Sequence, residues 1–228
     1  MTKPLVEPRT DTIWVGNFSK LKPADFGMPD FHGRFHPEIV AQAILRYHPR
    51  FVLDPMAGGG TTIDVCRMLK TAYIAYDIDP RRPEINEGEV WRLEPGHLPA
   101  KADMLVLHPP YWDAIQYGSP MDQAATVEEF ARLFGLVVDG CLPHLTTGAH
   151  AVLVIGNVYK DKQQVPLDMY CMREMMELGF VIRGRVCKDF GETKGGAKRG
   201  QALFDHRALK NGYWRFSWEQ VFFLQWRP

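Results

Sequence analysis

No charge of one sign dominates this chain: 27 Lys and Arg balance 27 Asp and Glu over 228 residues. That balance excludes a histone-like polycation and an acidic disordered tail, so partners must be read from local charge. Long hydrophobic runs are missing too. The opening MTKPLVEPRTDTIW lacks the apolar core of about 7–15 residues that a signal peptide needs, and no later segment approaches the roughly 18 of a membrane span. The expectation is a soluble, cytoplasmic protein with no membrane partner. Cysteine is scarce: Cys66, Cys141, Cys171 and Cys187 stand far apart with no C-x-x-C pair, which indicates neither a zinc site nor a disulfide framework. Reduced, buried thiols and no metal are expected. Internal repeats are absent as well. What the chain has is apolar mass: 46% of residues are hydrophobic and 12% aromatic, enough for a chain of this length to bury about 70–75% of its unfolded surface in one core.

Residues 1–30 carry Pro4, Pro8, Pro23 and Pro29 around Trp14 and Phe18, a pattern for an extended N-terminal arm on the surface of a domain spanning 31–228. From Pro37 onward Ile39, Val40, Ala43, Ile44 and Tyr47 recur at helical spacing, closed by His48-Pro49. Three apolar runs follow, each ending in polar or glycine-rich residues: Phe51-Val52-Leu53 before Asp54, Ala72 to Tyr76 before Asp77, and Met104 to Leu107 before His108. Further helices are predicted from Val127 to Leu142 and from Pro166 to Leu178, and further strands over Ala151 to Ile155, Val181 to Val186 and Val221 to Leu224. Strands alternating with helices predict an α/β fold with a mostly parallel sheet and helices on both faces, whose ligands gather at the carboxyl ends of the strands.

The first of those ends is Asp54-Pro55-Met56-Ala57-Gly58-Gly59-Gly60-Thr61-Thr62, a turn that frees backbone N–H groups and lets a ligand approach without a Cβ in the way. Asp77 lies 23 positions beyond Asp54 at the next strand end, close to the spacing of about 20 at which a carboxylate accepts from ribose hydroxyls. G-x-G-x-x-G is absent, and so is the lysine of a phosphate-binding G-x-x-x-x-G-K-[ST] loop, so a phosphate-free nucleoside cofactor fits better. Asp54 offers an acceptor for a cationic ammonium.

Asp54 to Thr62 resembles the S-adenosylmethionine-binding DP-F-x-G-x-G-T-T motif of DNA amino-methyltransferases of the N6-adenine and N4-cytosine kind. His108-Pro109-Pro110-Tyr111 resembles their catalytic (D/N/S)-P-P-Y tetrapeptide. Phe31 to Pro37 with its following helix is similar to the family's cofactor-side N-terminal segment, and Val154 to Tyr159 to a strand of bacterial N4/N6 methylases. The resemblance covers roughly 31–228 and implies a class I, Rossmann-like methyltransferase of the restriction-modification type, with S-adenosylmethionine as cofactor. It implies cofactor contacts for His32, Phe35, Pro37, Asp54, Pro55, Met56, Ala57, Gly58, Gly60, Thr61, Thr62, Asp77 and Ile78. It implies catalytic roles for His108, Pro109, Pro110 and Tyr111.

An exocyclic amino group is a poor nucleophile because its lone pair is delocalised into the ring. By the resemblance, the side chain at 108 and the Pro109 carbonyl accept both amino hydrogens and aim the nitrogen at the methyl, while Tyr111 stacks on a base flipped from the duplex. His108 departs from the Asp, Asn or Ser of the family. Neutral imidazole accepts one hydrogen bond and imidazolium none, so three roles stay open: a working acceptor or relay, a silent relative that only binds, or a structural histidine beside a working Pro109. Trp112 and Tyr117 are candidate walls of the base pocket, with core packing the alternative for Trp112.

Between Val181 and Arg215 nine basic residues face three acidic ones, 9 − 3 = +6, leaving −6 for the rest. The glycine-rich part, a loop at about 188–212, is the candidate DNA contact through Lys194, Lys198, Arg199 and Arg207, with Tyr213 and Trp214 nearby for stacking. A solvated loop is the plain alternative. RNA or tRNA amino-methylases and protein glutamine methylases use similar tetrapeptides, and a non-catalytic cofactor- or nucleic-acid-binding subunit is the rival from another class.

Overall fold

The computed structural model describes residues 6–16, 19–92, 94–161, 163–189, 206, 208–214 and 218–228. In chain order its strands are β1 (Ile13–Trp14), β2 (Phe51–Asp54), β3 (Ala72–Asp77), β4 (Asn86–Glu87), β5 (Ala102–Leu107), β6 (Leu145–Ile155), β7 (Val158–Lys160), β8 (Gln163–Val165), β9 (Phe180–Asp189) and β10 (Trp218–Trp226). The helices are α1 (Glu38–Tyr47), α2 (Thr61–Leu69), α3 (Val127–Cys141) and α4 (Leu167–Glu177). Among the described residues, β7 and β8 pair as a separate hairpin, and the other strands form one sheet in the order β1-β9-β10-β6-β5-β2-β3-β4. Every pairing in it is parallel except those of β10, which runs against both β6 and β9.

Side chains of a strand alternate between the faces of its sheet, and here both faces are covered, so the central strands are apolar throughout. On β5, Met104 and Val106 join the core on one face, Leu105 and Leu107 the core on the other, and all four are fully buried. β6 repeats the division, with Val152 and Val154 opposite Ala151, Leu153 and Ile155. Helices α1 and α2 cover the Met104 face, and α3 and α4 the Leu105 face. Each such buried Leu, Ile or Val stabilises the fold by about 1.5–3 kcal/mol relative to exposure. The α/β sheet with helices on both faces is therefore as the periodicities predict.

Local signals place the helix ends. Thr126 caps α3 by accepting the Glu129 N–H at 3.1 Å, and Glu129 reaches back to accept the Ala125 N–H at 2.9 Å. α1 stops at His48 in a left-handed conformation (φ 49°), whose N–H donates to the Ile44 carbonyl at 2.9 Å.

Three elements have no counterpart in the sequence reading. β1 and β4 are two residues each, too short for any periodicity to show. β1 nevertheless adds an edge strand: the Cys187 N–H donates to the Thr12 carbonyl at 2.9 Å, and Trp14 is 2% exposed. The β7–β8 hairpin is polar and half-buried, so no apolar alternation marks it. Of the cysteines, Cys66, Cys141 and Cys171 are buried free thiols and Cys187 is half-buried. Burial pushes the Cys66 thiol up to about 12, far from nucleophilic ionisation.

Topology then decides what meets where. β2, β3, β5, β6 and β9 all end at one edge of the sheet, and β10, being reversed, begins there. Glu219, the second residue of β10, consequently lies opposite Lys188 in register.

Candidate active site

Two loops leave that edge side by side. The first follows β2, and its glycines are required by geometry: Gly58 has φ +51° and Gly60 φ +83°, a region a Cβ disfavours. The Gly58 N–H donates to Asp77 Oδ2 at 2.7 Å, and Asp77 Oδ1 accepts the Asp79 N–H at 3.0 Å, so one carboxylate ties the tips of β2 and β3 together. Each carboxylate oxygen keeps a further lone pair for a ligand. Phe31 lies over the turn, close enough that a Cβ on Gly58 would sit 2.7 Å from its ring. Asp54, expected as an acceptor for an ammonium, stands beneath the turn and not on the cavity lining. It is 2% exposed, accepts the Met56 N–H at 3.1 Å, and burial pushes its carboxyl up to about 7.

The second loop follows β5. His108, half-buried, has the edge of Phe35 at 5.2 Å between ring centroids and its Nε2 3.3 Å from Tyr111 Oη. Tyr111 lies against Gly156, where an added Cβ would be 2.5 Å from the ring, and its hydroxyl donates to Glu219 Oε2 at 3.0 Å. Glu219 in turn pairs with Lys188 at 2.9 Å, both side chains under a tenth exposed. Burial holds the His108 imidazole down to about 4, against the pull of Glu219 and with a further push from Lys188. His36, also on the cavity, is held down to about 4 by burial and then by Lys188. The Tyr111 phenol is raised well above its ordinary value by burial and by Glu219. At neutral pH the loop thus presents a neutral imidazole and a neutral phenol.

One cavity of about 1280 Å³ spans both loops. At one end it is lined by Pro55, Met56, Ala57, Gly58, Thr61, Asp77 and Ile78, and at the other by His108, Pro109, Pro110 and Tyr111. His32 and Phe35 form a side wall with Tyr117, which stacks on Phe31 (6.0 Å, 19°) and donates from its hydroxyl to the His32 carbonyl at 3.3 Å. Five expected site residues stand behind this lining: Pro37, Asp54, Gly60, Thr62 and Trp112. Trp112 belongs to the core, its indole donating to the Ala124 carbonyl at 2.9 Å and Lys160 resting 4.0 Å over its ring. Lys194, Lys198, Arg199 and Arg207 lie outside the described residues.

Two residues that no motif marks, Lys188 and Glu219, anchor the second loop. By sequence Lys188 falls at the start of the basic loop expected at about 188–212, whereas in the fold it belongs to β9 and is buried against Glu219. A lone charge beside an apolar strand, at Lys188 and again at Glu219, was the available signal, but only the reversed strand reveals that the two charges pair. Nearby, Tyr213 rests 4.7 Å from Tyr159, and Trp214 is 91% exposed.

No protein-family model matches the chain, and no curated protein matches it. Solved structures do. TrmN from Thermus thermophilus is 18% identical over 85% of this chain and 50% of its own, with a TM-score of 0.52. The 1,6-didemethyltoxoflavin-N1-methyltransferase of Burkholderia thailandensis, solved with 1,6-didemethyltoxoflavin and S-adenosylhomocysteine bound, is 13% identical over 82% of this chain and 77% of its own, with a TM-score of 0.51. The chain spans about half the length of TrmN. At such identities the likeness is one of fold, and the fold is that of class I S-adenosylmethionine-dependent methyltransferases.

Proposed function

We propose that the chain uses S-adenosylmethionine to methylate the exocyclic amino group of cytosine (N4) or adenine (N6) in DNA. The observation that carries this reading is the single cavity joining the glycine turn and Asp77 to His108-Pro109-Pro110-Tyr111. Ligand pockets usually measure about 300–1,000 Å³. At about 1280 Å³ this one has room for a nucleoside cofactor and a second flat ring beside it.

The cofactor end fits the group in its chemistry. Asp77 supplies carboxylate oxygens for ribose hydroxyls, Ile78 and Val90 supply apolar surface for an adenine, and the turn carries no lysine to hold a phosphate. When bound, S-adenosylmethionine supplies a methyl group on a positively charged sulfur. The Burkholderia protein of the same fold carries the demethylated product, S-adenosylhomocysteine.

At the other end, the neutral His108 keeps an acceptor for an amino hydrogen, and the Pro109 carbonyl takes the second. With two hydrogens held, the nitrogen lone pair is drawn out of the ring and can attack. Tyr111, backed by Gly156, offers the face of its ring to the base, and Tyr117 and Phe31 close the side. In this reading Lys194, Lys198, Arg199 and Arg207 contact phosphates.

The test is methyl-deuterated S-adenosylmethionine incubated in parallel with unmethylated DNA and RNA, followed by digestion to nucleosides and mass spectrometry. Heavy N4-methylcytosine or N6-methyladenine from DNA is the expected result. Label in RNA alone overturns the DNA assignment in favour of an RNA amino group, and label in neither overturns the reading.

A further inference from the structure

Behind the reacting groups runs a line of polar contacts that the methyl transfer above leaves unused. His108 Nε2 lies 3.3 Å from Tyr111 Oη, Tyr111 Oη lies 3.0 Å from Glu219 Oε2, and Glu219 Oε1 lies 2.9 Å from Lys188 Nζ. Each link restricts the next. Lys188 only donates, so Glu219 is held as a carboxylate that only accepts. The single phenolic proton of Tyr111 is then directed to Glu219, and toward His108 the phenol oxygen is an acceptor. An imidazole facing an acceptor at Nε2 carries its proton there and leaves Nδ1 bare. Among the described residues Nδ1 has no hydrogen-bond partner, and His108 lines the cavity.

We propose that Glu219, locked by Lys188, is a positioning residue that acts through Tyr111 to fix His108 in the tautomer whose bare Nδ1 takes a proton from the substrate amino group. This rests on the amino-methyltransferase reading and deepens it. In the step served, the lone pair of the substrate nitrogen forms the N–CH₃ bond and the S–CH₃ bond breaks, its electron pair staying on sulfur. One amino proton passes from nitrogen to Nδ1, and the resulting imidazolium later releases it to water. The pair also explains how His can stand where the resembling family has Asp, Asn or Ser. An imidazole accepts at one nitrogen only, so its tautomer has to be fixed from behind, a need those other side chains do not have.

The experiment is nitrogen-15 NMR of imidazole-labelled full-length protein at neutral pH, with the His108 signal identified by its loss in His108→Asn. The expected wild-type result is a neutral His108 with the proton on Nε2. Tyr111→Phe keeps the ring but removes the hydroxyl, and should give a mixture of tautomers together with a fall of about 10²-fold or more in single-turnover methylation, while cofactor affinity stays within about twofold. Glu219→Gln should do the same where it folds. The wild-type spectrum and Tyr111→Phe test the link from Tyr111 to His108, and a folded Glu219→Gln in which His108 still carries its proton on Nε2 alone overturns the role of Glu219. A proton on Nδ1 in the wild type, or a tautomer unmoved by Tyr111→Phe, overturns the proposal. A tautomer that behaves as expected in a protein that methylates neither DNA nor RNA upholds the fixing of His108 by Tyr111 and Glu219 and overturns the amino-methyltransferase reading together with the proton transfer to Nδ1.

Discussion

The loop after β2 and the loop after β5 are held by opposite means. The glycine turn is fixed from nearby: its carboxylate anchor, Asp77, comes from the adjacent strand, and its shape comes from two positive-φ glycines within the motif. The tetrapeptide loop is fixed from far away: Tyr111 leans on Gly156 and bonds to Glu219, which lies 108 residues along the chain. A loop made locally can be recognised in sequence and tolerates change elsewhere. A loop held by distant strands owes its chemistry to the topology, and should be the more fragile of the two.

Gly156→Ala should break the second loop with the larger effect. Its Cβ would meet Tyr111 Cε2 at 2.5 Å and Cζ at 3.2 Å, so the ring face has to move. A shift of about 1 Å at a reacting group costs on the order of 10²-fold in rate. Single-turnover methylation should fall by about that much, with cofactor affinity from calorimetry changed less than about twofold. Gly58→Ala attacks the first loop and should act the other way round. Its φ of +51° costs a non-glycine residue about 1–2 kcal/mol, and the Phe31 ring lies 2.7 Å from the new Cβ. Cofactor affinity should drop about tenfold while turnover at saturation changes only a few-fold. Equal losses of saturated turnover in the two variants would mean that the loops do not divide the work as described.

The same contrast explains what could be read from the sequence. Met104 to Leu107 and Ala151 to Ile155 are apolar because both faces of their strands are covered, so helices, central strands and the strand ends from which the two loops leave were legible in the pattern. Asp54 was legible as a motif member but its burial was not, because a letter in a motif does not say how deep beneath the turn its carboxyl stands. Lys188 and Glu219 were not legible. Their pairing depends on β10 running backwards between β6 and β9, a fact that no local period encodes.

The smallest effect concerns acid stability, where the two loops should differ in sign. His108 titrates at about 4 in the folded protein against 6.5 unfolded, so between those values the unfolded chain binds the extra proton and stability falls as pH drops. His36 acts in the same direction over the same window. Asp54 titrates at about 7 folded against 3.8 unfolded, so the folded protein binds the extra proton and stability rises as pH drops from 7 toward 4. In the wild type these contributions partly offset. Urea midpoints at pH 6.5 and 4.5 separate them: Asp54→Asn, which removes the gain, should steepen the loss on acidification, whereas His108→Asn, which removes part of the cost, should flatten it. If both variants change the slope in the same direction, one of the two groups is not buried as described, and the protonation state assigned to its loop fails with it.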